Sequence, residues 1–377
     1  MTAGSKRPSL SPRPLPLLTP DLPGTGGVLR VREEDFRVEE LPLYPAAGKG
    51  DHLLLAIEKV GRNTQEVLHE LAAALGAAER EIGVAGLKDK RAVAVQRLSV
   101  PLPRGAGGPQ ALAQAAEFQE RALAAAGPGW RVLSAERHGN KLRTGHLAGN
   151  RFRIVARGCV PSARARAEAV LARLRQTGTA NLFGPQRFGM RGDNADLGAA
   201  ILARDPAAGR AARDRFLRRL ALSALQAEMF NRCLSARIAD GLFSCAIEGD
   251  VLRKRDSGGL FLCRDPAADS SRVAAGEVDP SGPLPGHSLY AAAGPAALRE
   301  QAVIDEAGLD PRSFAAGGGE MEGARRPYRI PVDAQVEEER GEDGAQNLVF
   351  CFSLPPGSYA SSVLREAMKT DAAASEG

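Results

Sequence analysis

The 377-residue sequence predicts a mixed α/β protein of the α+β class, with one domain inserted into another. At roughly 100 to 200 residues per domain, this length suggests two domains or one large domain that carries an insertion. Strand and helix patterns alternate through the first half, whereas residues 264–288 and 309–346 are rich in Gly, Pro and charge and predict mostly loops. An apolar strand pattern returns at 347–354. We therefore expect residues 24–181 and 330–377 to form one core, into which residues 182–329 are inserted.

The individual elements follow from local patterns. Residues 1–23 are rich in Pro, Ser and Gly and predict a mobile tail. Asn63 or Thr64 can cap a helix whose apolar residues recur at helical spacing until Gly76 ends it. Alternation and β-branched residues predict strands at 28–40, 52–59, 98–102, 130–137 and 152–157. Apolar residues at helical spacing predict helices at 110–125, 163–176 and 213–240, followed by a hairpin over 245–263 and a C-terminal turn and helix over 355–368.

Composition excludes several protein classes. With 44% hydrophobic and 25% charged residues, the chain is typical of a globular protein. It has no apolar run of the roughly 20 residues that a membrane span requires and no stretch typical of a signal peptide, so we expect a cytoplasmic protein. The five cysteines form no C-x-x-C pair, and the five histidines show no H-x-E or H-E-x-x-H spacing. Disulfides, a zinc site and the chemistry of zinc hydrolases or deaminases are therefore not expected.

The charge is unevenly distributed. The net charge is only +5, but residues 130–190 contain 12 Lys and Arg against two acidic residues, which makes this segment +10 and the remainder −5. Arg outnumbers Lys 42 to 8, which codon bias alone could produce, although codon bias does not explain the clustering. A basic segment beside an acidic remainder is typical of a protein that binds a polyanion.

Two segments carry candidate chemistry. In the sequence VAGLKDKRAVAVQ, Asp89 lies between Lys88 and Lys90, which favour its ionised form; a carboxylate of this kind is a candidate nucleophile. The simpler alternative is a solvated surface aspartate. In GNRF and NLFGPQRFG, aromatic and amide side chains lie among arginines, as in proteins that stack and hydrogen-bond extruded bases. Here the alternative is that Phe183 and Phe188 are core residues, and that Phe36 is likewise buried.

On these residues, the sequence resembles the TruD family of tRNA pseudouridine synthases. Five segments match in the family's order: DFRVEE, GLKDKRAVAVQ, GNRF, NLFGPQRFG and PPGSYASSVLRE. The resemblance implies a pseudouridine synthase core with a mixed, largely antiparallel sheet, interrupted by an α/β domain that is specific to the family. It also implies isomerisation of a uridine in the D arm of tRNA, usually at position 13, without a metal or organic cofactor. We expect the protein to be a monomer that binds tRNA and does not bind a membrane.

The resemblance also implies roles for individual residues. Asp89 matches the catalytic aspartate; Phe36, Asn150 and Tyr359 match positions that bind the nucleoside, and Phe152 matches an aromatic that lies against the target base. Arg30 matches a basic position that is expected to pair with the aspartate. Three positions depart from the family pattern. The family often has Thr in place of Ala94, Tyr in place of Leu182 and Phe in place of Tyr359. None of them removes the carboxylate.

These roles imply a mechanism in which the uridine is extruded before it reacts. The aspartate would then attack C1′ of the ribose or C6 of the base, or would remove a proton at C2′, and the sequence does not distinguish these routes. Two other functions remain open: a synthase that acts on another RNA, and a non-catalytic RNA-binding module such as a tRNA chaperone.

Overall fold

The computed structural model describes residues 9–10, 12–103, 109–341 and 344–370. Its largest element is a ten-stranded sheet. The strands of this sheet are β1 Gly26–Leu29, β2 Phe36–Pro42, β3 His52–Val60, β4 Gly83–Val84, β5 Val93–Pro101, β6 Ala126–Gly127, β7 Trp130–His138, β8 Leu147–Cys159, β15 Ala334–Arg340 and β16 Gln346–Leu354. Their order is β15-β16-β8-β2-β5-β3-β7-β6, and β1 and β4 pair with β8 and β5. Only β2 and β5 pair in parallel within this sheet as described. The prediction of a mixed, largely antiparallel sheet is therefore confirmed.

One face of the large sheet is covered by helices and the other is charged. Four helices pack on the apolar face, and they are α1 Thr64–Leu75, α2 Pro109–Leu123, α3 Ala163–Thr177 and α8 Ala360–Met368. Alternation along each strand places residues such as Val38, Ile57 and Phe352 on this face. Asn63 caps α1 by accepting from Gln65 N, and Gly76 ends the helix with φ 65°, as the sequence predicted.

The segment between the two parts of the large sheet forms its own layer. It contains a four-stranded antiparallel sheet and a separate apolar core around Phe230. Its helices are α4 Asn194–Leu202, α5 Arg215–Ala239, α6 Pro266–Ala274 and α7 Gly294–Glu306; its strands are β10 Val251–Lys254, β11 Leu260–Leu262, β12 Val278–Leu284 and β13 Ala324–Pro327. A two-stranded pair, β9 Thr179–Ala180 with β14 Arg329–Ile330, joins it to the core. The predicted limits of the insertion lie beside this pair, and we keep the division into core and insertion as a proposal.

The expectation of mostly loops at 264–288 and 309–346 is wrong. These ranges contain α6, β12, a 3-10 helix over Pro311–Glu320, and β13 to β15. The sequence of β12, VDPSGPL, has the composition of a turn, but six of its seven residues are buried because it pairs with β10 on one side and β13 on the other. Local composition does not report this burial, which only the fold creates. Residues 342 and 343 lie outside the described part.

Two N-terminal expectations also differ from the structure. The strand predicted over 28–40 is two strands, separated by a 3-10 turn at Glu33–Asp35 and by Arg30 at φ 56°. The predicted mobile tail is packed where it is described, because Glu366 of α8 accepts hydrogen bonds from Leu18 N and Thr19 N at 2.7 and 3.1 Å. Leu10 is fully buried. Residues 1–8 and 11 lie outside the described residues.

Candidate active site

The six residues that the sequence singled out lie together in one cleft of about 190 Å³ on the helix-covered side of the large sheet. The cleft is formed by β2, β8, the loop before β5 and the turn that leads into α8. Its lining residues are Arg30, Phe36, Val38, Leu87, Lys88, Asp89, Asn150, Phe152, Gln186, Ser358, Tyr359, Ala360 and Ser361. Segments from both ends of the chain therefore meet at one place.

The strand register brings the aromatic side chains into the cleft. Antiparallel pairing of β2 and β8 places Val38 opposite Phe152 and Glu40 opposite Asn150. Because side chains two residues apart share a face, Phe36 and Phe152 lie on the same face of the sheet. Their rings meet edge to face, with centroids 6.2 Å apart and an interplanar angle of 73°. The cleft consequently has an aromatic floor.

Asp89 lies at the open rim of the cleft and is paired with Arg30. Arg30 Nη2 donates to Asp89 Oδ2 at 3.0 Å, and the two side chains are 7% and 49% exposed. The Arg30 guanidinium also stacks 4.2 Å from the Phe36 ring centroid. Its positive φ of 56° is uncommon for a residue other than glycine. Arg30 thus connects the aromatic floor to the carboxylate, while Asp89 remains accessible.

Buried polar side chains bind the loop that carries Asp89 through hydrogen bonds and an ion pair. Gln96 Nε2 donates to Gly86 O at 2.6 Å, and Thr64 Oγ1 accepts from Lys88 N at 3.3 Å. Lys88 Nζ donates to Glu40 Oε2 at 2.6 Å, in an ion pair whose side chains are 6% and 1% exposed. Burial raises the pKa of the Glu40 carboxyl, against the opposing effect of Lys88.

A fourth anchor, Lys59, contacts Asp89 directly. Lys59 Nζ donates to the carbonyl oxygens of Lys88 and Asp89, at 3.2 and 2.6 Å. It comes from β3, two strands away from β2 in the sheet order. None of these anchors was predicted from the sequence, although a lysine within the apolar strand HLLLAIEKV is a signal that could have indicated Lys59.

Asn150 has an unused hydrogen-bond acceptor. Its Oδ1 atom is buried and has no hydrogen-bond partner among the described residues. Buried polar atoms are normally paired, so an unpaired acceptor in the wall of a cleft is a feature that a ligand can satisfy. The complementary ligand group is an N–H donor.

Tyr359 forms the opposite wall and contacts the inserted segment. Its ring lies 6.3 Å from that of Phe183, which in turn lies 4.1 Å from the Arg326 guanidinium. Arg326 also donates to Gly357 O at 3.0 Å, in the turn before Tyr359. Phe183 and Phe188 are 6% and 1% exposed, so they are core residues, as the simpler alternative held.

A second, larger cleft of about 670 Å³ adjoins the first and shares Ser358 with it. Six basic residues line it against two acidic ones, Asp256 and Asp279. The basic residues are Arg253, Lys254, Arg255, Arg325, Arg326 and Arg329. Of these, Arg253, Lys254 and Arg326 form no ion pair with a carboxylate in the described part of the chain. This surface lies outside the basic segment that the sequence indicated.

The basic segment at 130–190 is largely neutralised by the fold. Arg151 and Arg153 point away from the cleft, because they alternate with Asn150 and Phe152 on β8. They lie 3.3 and 3.4 Å from carboxylates of Glu39 and Glu339. A local excess of charge in the sequence is therefore compensated by acidic residues of neighbouring strands.

Comparison with known proteins identifies the family. The family described as tRNA pseudouridine synthase D (TruD) matches residues 15–213 and 208–367. The chain belongs to the TruD family. Among its relatives are the tRNA pseudouridine synthase D of Anaeromyxobacter sp. strain Fw109-5, 51% identical over 95% of this chain and 97% of the relative, and that of a Thermus thermophilus strain, 42% identical over 96% and 94%.

The fold agrees with this membership. The crystal structure of a Methanosarcina mazei protein described as TruD superimposes with a TM-score of 0.77 over 98% of this chain and 100% of that one, at 24% identity. At that identity the likeness concerns the fold alone. A helix long and apolar enough to cross a membrane is absent from the described residues. The same residues contain no cluster of three His, Cys, Asp or Glu side chains that could hold a metal ion.

Proposed function

We propose that this TruD-family protein isomerises a uridine of tRNA to pseudouridine, with Asp89 as the nucleophile and without a metal or organic cofactor. The target that we propose is the D arm, at position 13, and the site of action is the cytoplasm. The observation that carries the proposal is the pairing of Asp89 with Arg30 at 3.0 Å, beside an aromatic floor and an unpaired amide acceptor. All of these groups belong to one chain, which supports action as a monomer.

Recognition of the base follows from the walls of the cleft. Uracil has an N3–H donor, which matches the free Oδ1 of Asn150. Phe36, Phe152 and Tyr359 offer ring surface to the base or ribose, and base stacking of this kind contributes about 1 to 3 kcal/mol. A uridine in a stacked helix reaches none of these groups, so the nucleotide must be extruded, which costs a few kcal/mol. The stacking and the hydrogen bond offset this cost.

The chemistry requires an ionised, aimed carboxylate. Arg30 donates a hydrogen bond to the Asp89 carboxylate and so restricts its orientation. In the reaction, the bond between N1 and C1′ breaks and a bond between C5 and C1′ forms; the C5 proton leaves and N1 takes up a proton, so the product is an isomer of the substrate. Asp89 can begin this sequence by attack at C1′, by attack at C6, or by removal of the C2′ proton. The three routes differ in which substrate atom it contacts.

The second cleft supplies the sites for the RNA backbone. Cations that lack a carboxylate partner are available to phosphates without first breaking an ion pair. Arg253 and Lys254 are such cations; both are exposed, and they lie in a cleft that opens beside the first. An extruded nucleotide in the first cleft would thus keep its flanking phosphates in the second.

The test is pseudouridine formation in tRNA transcripts with the wild type, Asp89→Asn and Asp333→Asn. Asp333 is a matched control, because its side chain is 90% exposed and it lies outside the cleft. We expect product with the wild type and with Asp333→Asn, none with Asp89→Asn, and modification at position 13. Full activity of Asp89→Asn would refute the role of Asp89. A non-catalytic RNA-binding module would bind tRNA in all three forms and yield no product, and modification of another RNA alone would refute the tRNA target.

A further inference from the structure

Lys59 is a buried lysine whose ammonium group is fully occupied by backbone carbonyls. Lys59 as a whole is 1% exposed. Nζ donates to Asp89 O at 2.6 Å, Arg62 O at 2.8 Å and Lys88 O at 3.2 Å. An ammonium has three donors, so each of them is matched by one acceptor. Two of the three acceptors belong to the loop that carries the proposed nucleophile.

The lysine is also fixed at its other end. It pairs in register with Ala94 of β5 and Trp130 of β7, which makes β3 an interior strand at this point. A side chain that rises from an interior strand has little freedom to follow the loop. Movement of the Asp89 backbone would therefore break the hydrogen bonds rather than displace the lysine.

The other anchors do not replace this contact. Gln96, Thr64 and Glu40 hold Gly86 and Lys88, and none of them bonds to Asp89 itself. Arg30 reaches the Asp89 carboxylate but leaves its backbone free. Only Lys59, among these anchors, fixes the backbone from which the carboxylate projects.

We propose that protonated Lys59 is a positioning residue that holds the Asp89 backbone and so aims its carboxylate into the cleft. This inference rests on the proposed function, because the orientation of Asp89 matters only if Asp89 is the nucleophile. A neutral amine has only two N–H donors and must release one of the three carbonyls. The protonation state of Lys59 is thereby coupled to the geometry of the loop.

The surroundings set the pH at which this coupling acts. Burial lowers the pKa of Lys59 from 10.5 to about 8, with Asp89 and Glu66 favouring the charged form and Lys88 opposing it. Since this pKa is lower in the folded protein, the contribution of Lys59 to the free energy of unfolding rises with pH between about 8 and 10.5. The positioning of Asp89 depends on pH in the opposite direction, because it needs the charged form of Lys59. The isomerisation rate should therefore fall as the pH rises through about 8, without loss of stability from this group.

The experiment compares Lys59→Met, Lys59→Arg and Lys369→Met with the wild type in steady-state pseudouridine formation on tRNA. Lys369 is a matched control, because it is a partly buried lysine that donates to Thr19 O, at the far end of α8. We expect Lys59→Met to lower kcat by about 100-fold, as for a small misplacement of a reacting group, with KM for tRNA unchanged. Lys369→Met should leave kcat unchanged.

The pH profile distinguishes positioning from a merely structural role. An arginine stays protonated throughout, so Lys59→Arg should lose the fall in rate near pH 8 that the wild type shows. Because both proteins act on the same RNA, titration of the substrate cancels. The inference is overturned if Lys59→Met keeps the wild-type kcat, or if Lys59→Arg keeps the same alkaline fall.

A readout that needs no activity completes the design. Lys90 and Arg91 are exposed and provide tryptic sites directly after Asp89. Lys59→Met should be cut there faster than the wild type and Lys369→Met, while urea unfolding reports whether each variant is folded. If the wild type forms no pseudouridine, the proposed function fails and cleavage alone decides whether Lys59 holds the loop. Equal cleavage rates in folded variants would then overturn the inference.

Discussion

Replacing Asn150 by alanine is expected to separate stability from activity. In most buried polar residues the side chain makes hydrogen bonds that stabilise the fold, but Asn150 Oδ1 has none among the described residues. An unpaired buried acceptor costs about 1 to 3 kcal/mol. The alanine variant should therefore keep or slightly raise the free energy of unfolding, measured by urea denaturation.

Activity should change in the opposite direction. If Oδ1 accepts the N3–H of the extruded uracil, the variant loses about 1 to 3 kcal/mol of transition-state binding, which lowers kcat/KM about 5- to 150-fold. The assay is pseudouridine formation at tRNA concentrations below KM, so that the rate reports kcat/KM. The pattern expected is a protein that is at least as stable as the wild type and much less active.

Asn347 is a matched control for this experiment. It is 2% exposed, lies on the neighbouring strand β16, and accepts a hydrogen bond from Gly158 N at 3.1 Å. Asn347→Ala should lower the free energy of unfolding by about 1 to 3 kcal/mol and leave kcat/KM unchanged. The reasoning is refuted if Asn150→Ala is destabilised as much as Asn347→Ala, or if it keeps the wild-type kcat/KM.

Three further changes test the anchors and the second cleft. Lys88→Met leaves Glu40 buried without its partner and should lower the free energy of unfolding by about 3 to 5 kcal/mol in urea at neutral pH. The loss should shrink as the pH falls, because burial already raises the pKa of Glu40 and protonation removes the stranded charge; a loss that grows with acid would contradict this. Glu366→Ala removes the acceptor that binds Leu18 N and Thr19 N and should cost about 3 kcal/mol in the same assay, and an unchanged midpoint would show that the N-terminal segment is not held there. Lys254→Met should weaken tRNA binding and reduce its salt dependence by about one unit of slope in fluorescence anisotropy, whereas an unchanged slope would place the RNA backbone elsewhere.

The sequence predicted those parts of the fold in which local pattern and burial agree. Strand β3 and helix α1 were predicted closely, because their alternation and capping are local properties. Strand β12 was missed, since its Pro and Gly residues are typical of turns and its burial depends on two partner strands. The charge pattern agrees with tRNA as the partner, but it does not report ion pairs between distant segments. Acidic residues that neutralise Arg151 and Arg153 lie far away in the chain, on β2 and β15.

The site shows which functional residues such an analysis can and cannot find. Resemblance of short motifs predicted six site residues, and the fold brings all six to one cleft. It did not identify Lys59, Gln96 or Glu40, which face the protein interior and act on the backbone of the loop. Nothing in their local sequence indicates which loop they will meet.

The buried anchors of the Asp89 loop follow from two opposing requirements of the site. In the proposed mechanism Asp89 must be accessible to an extruded nucleotide, and Leu87, two residues before it, is 76% exposed, so burial of apolar side chains does not fix this loop. A loop of this kind is ordinarily mobile, yet a reacting carboxylate has to be held within a fraction of an ångström. The remaining means is to bond its backbone and inward-facing lysine to buried polar groups on rigid strands, as Lys59 on β3, Gln96 on β5 and Glu40 on β2 do. Exposure of the carboxylate and burial of its anchors are therefore two consequences of the same requirement.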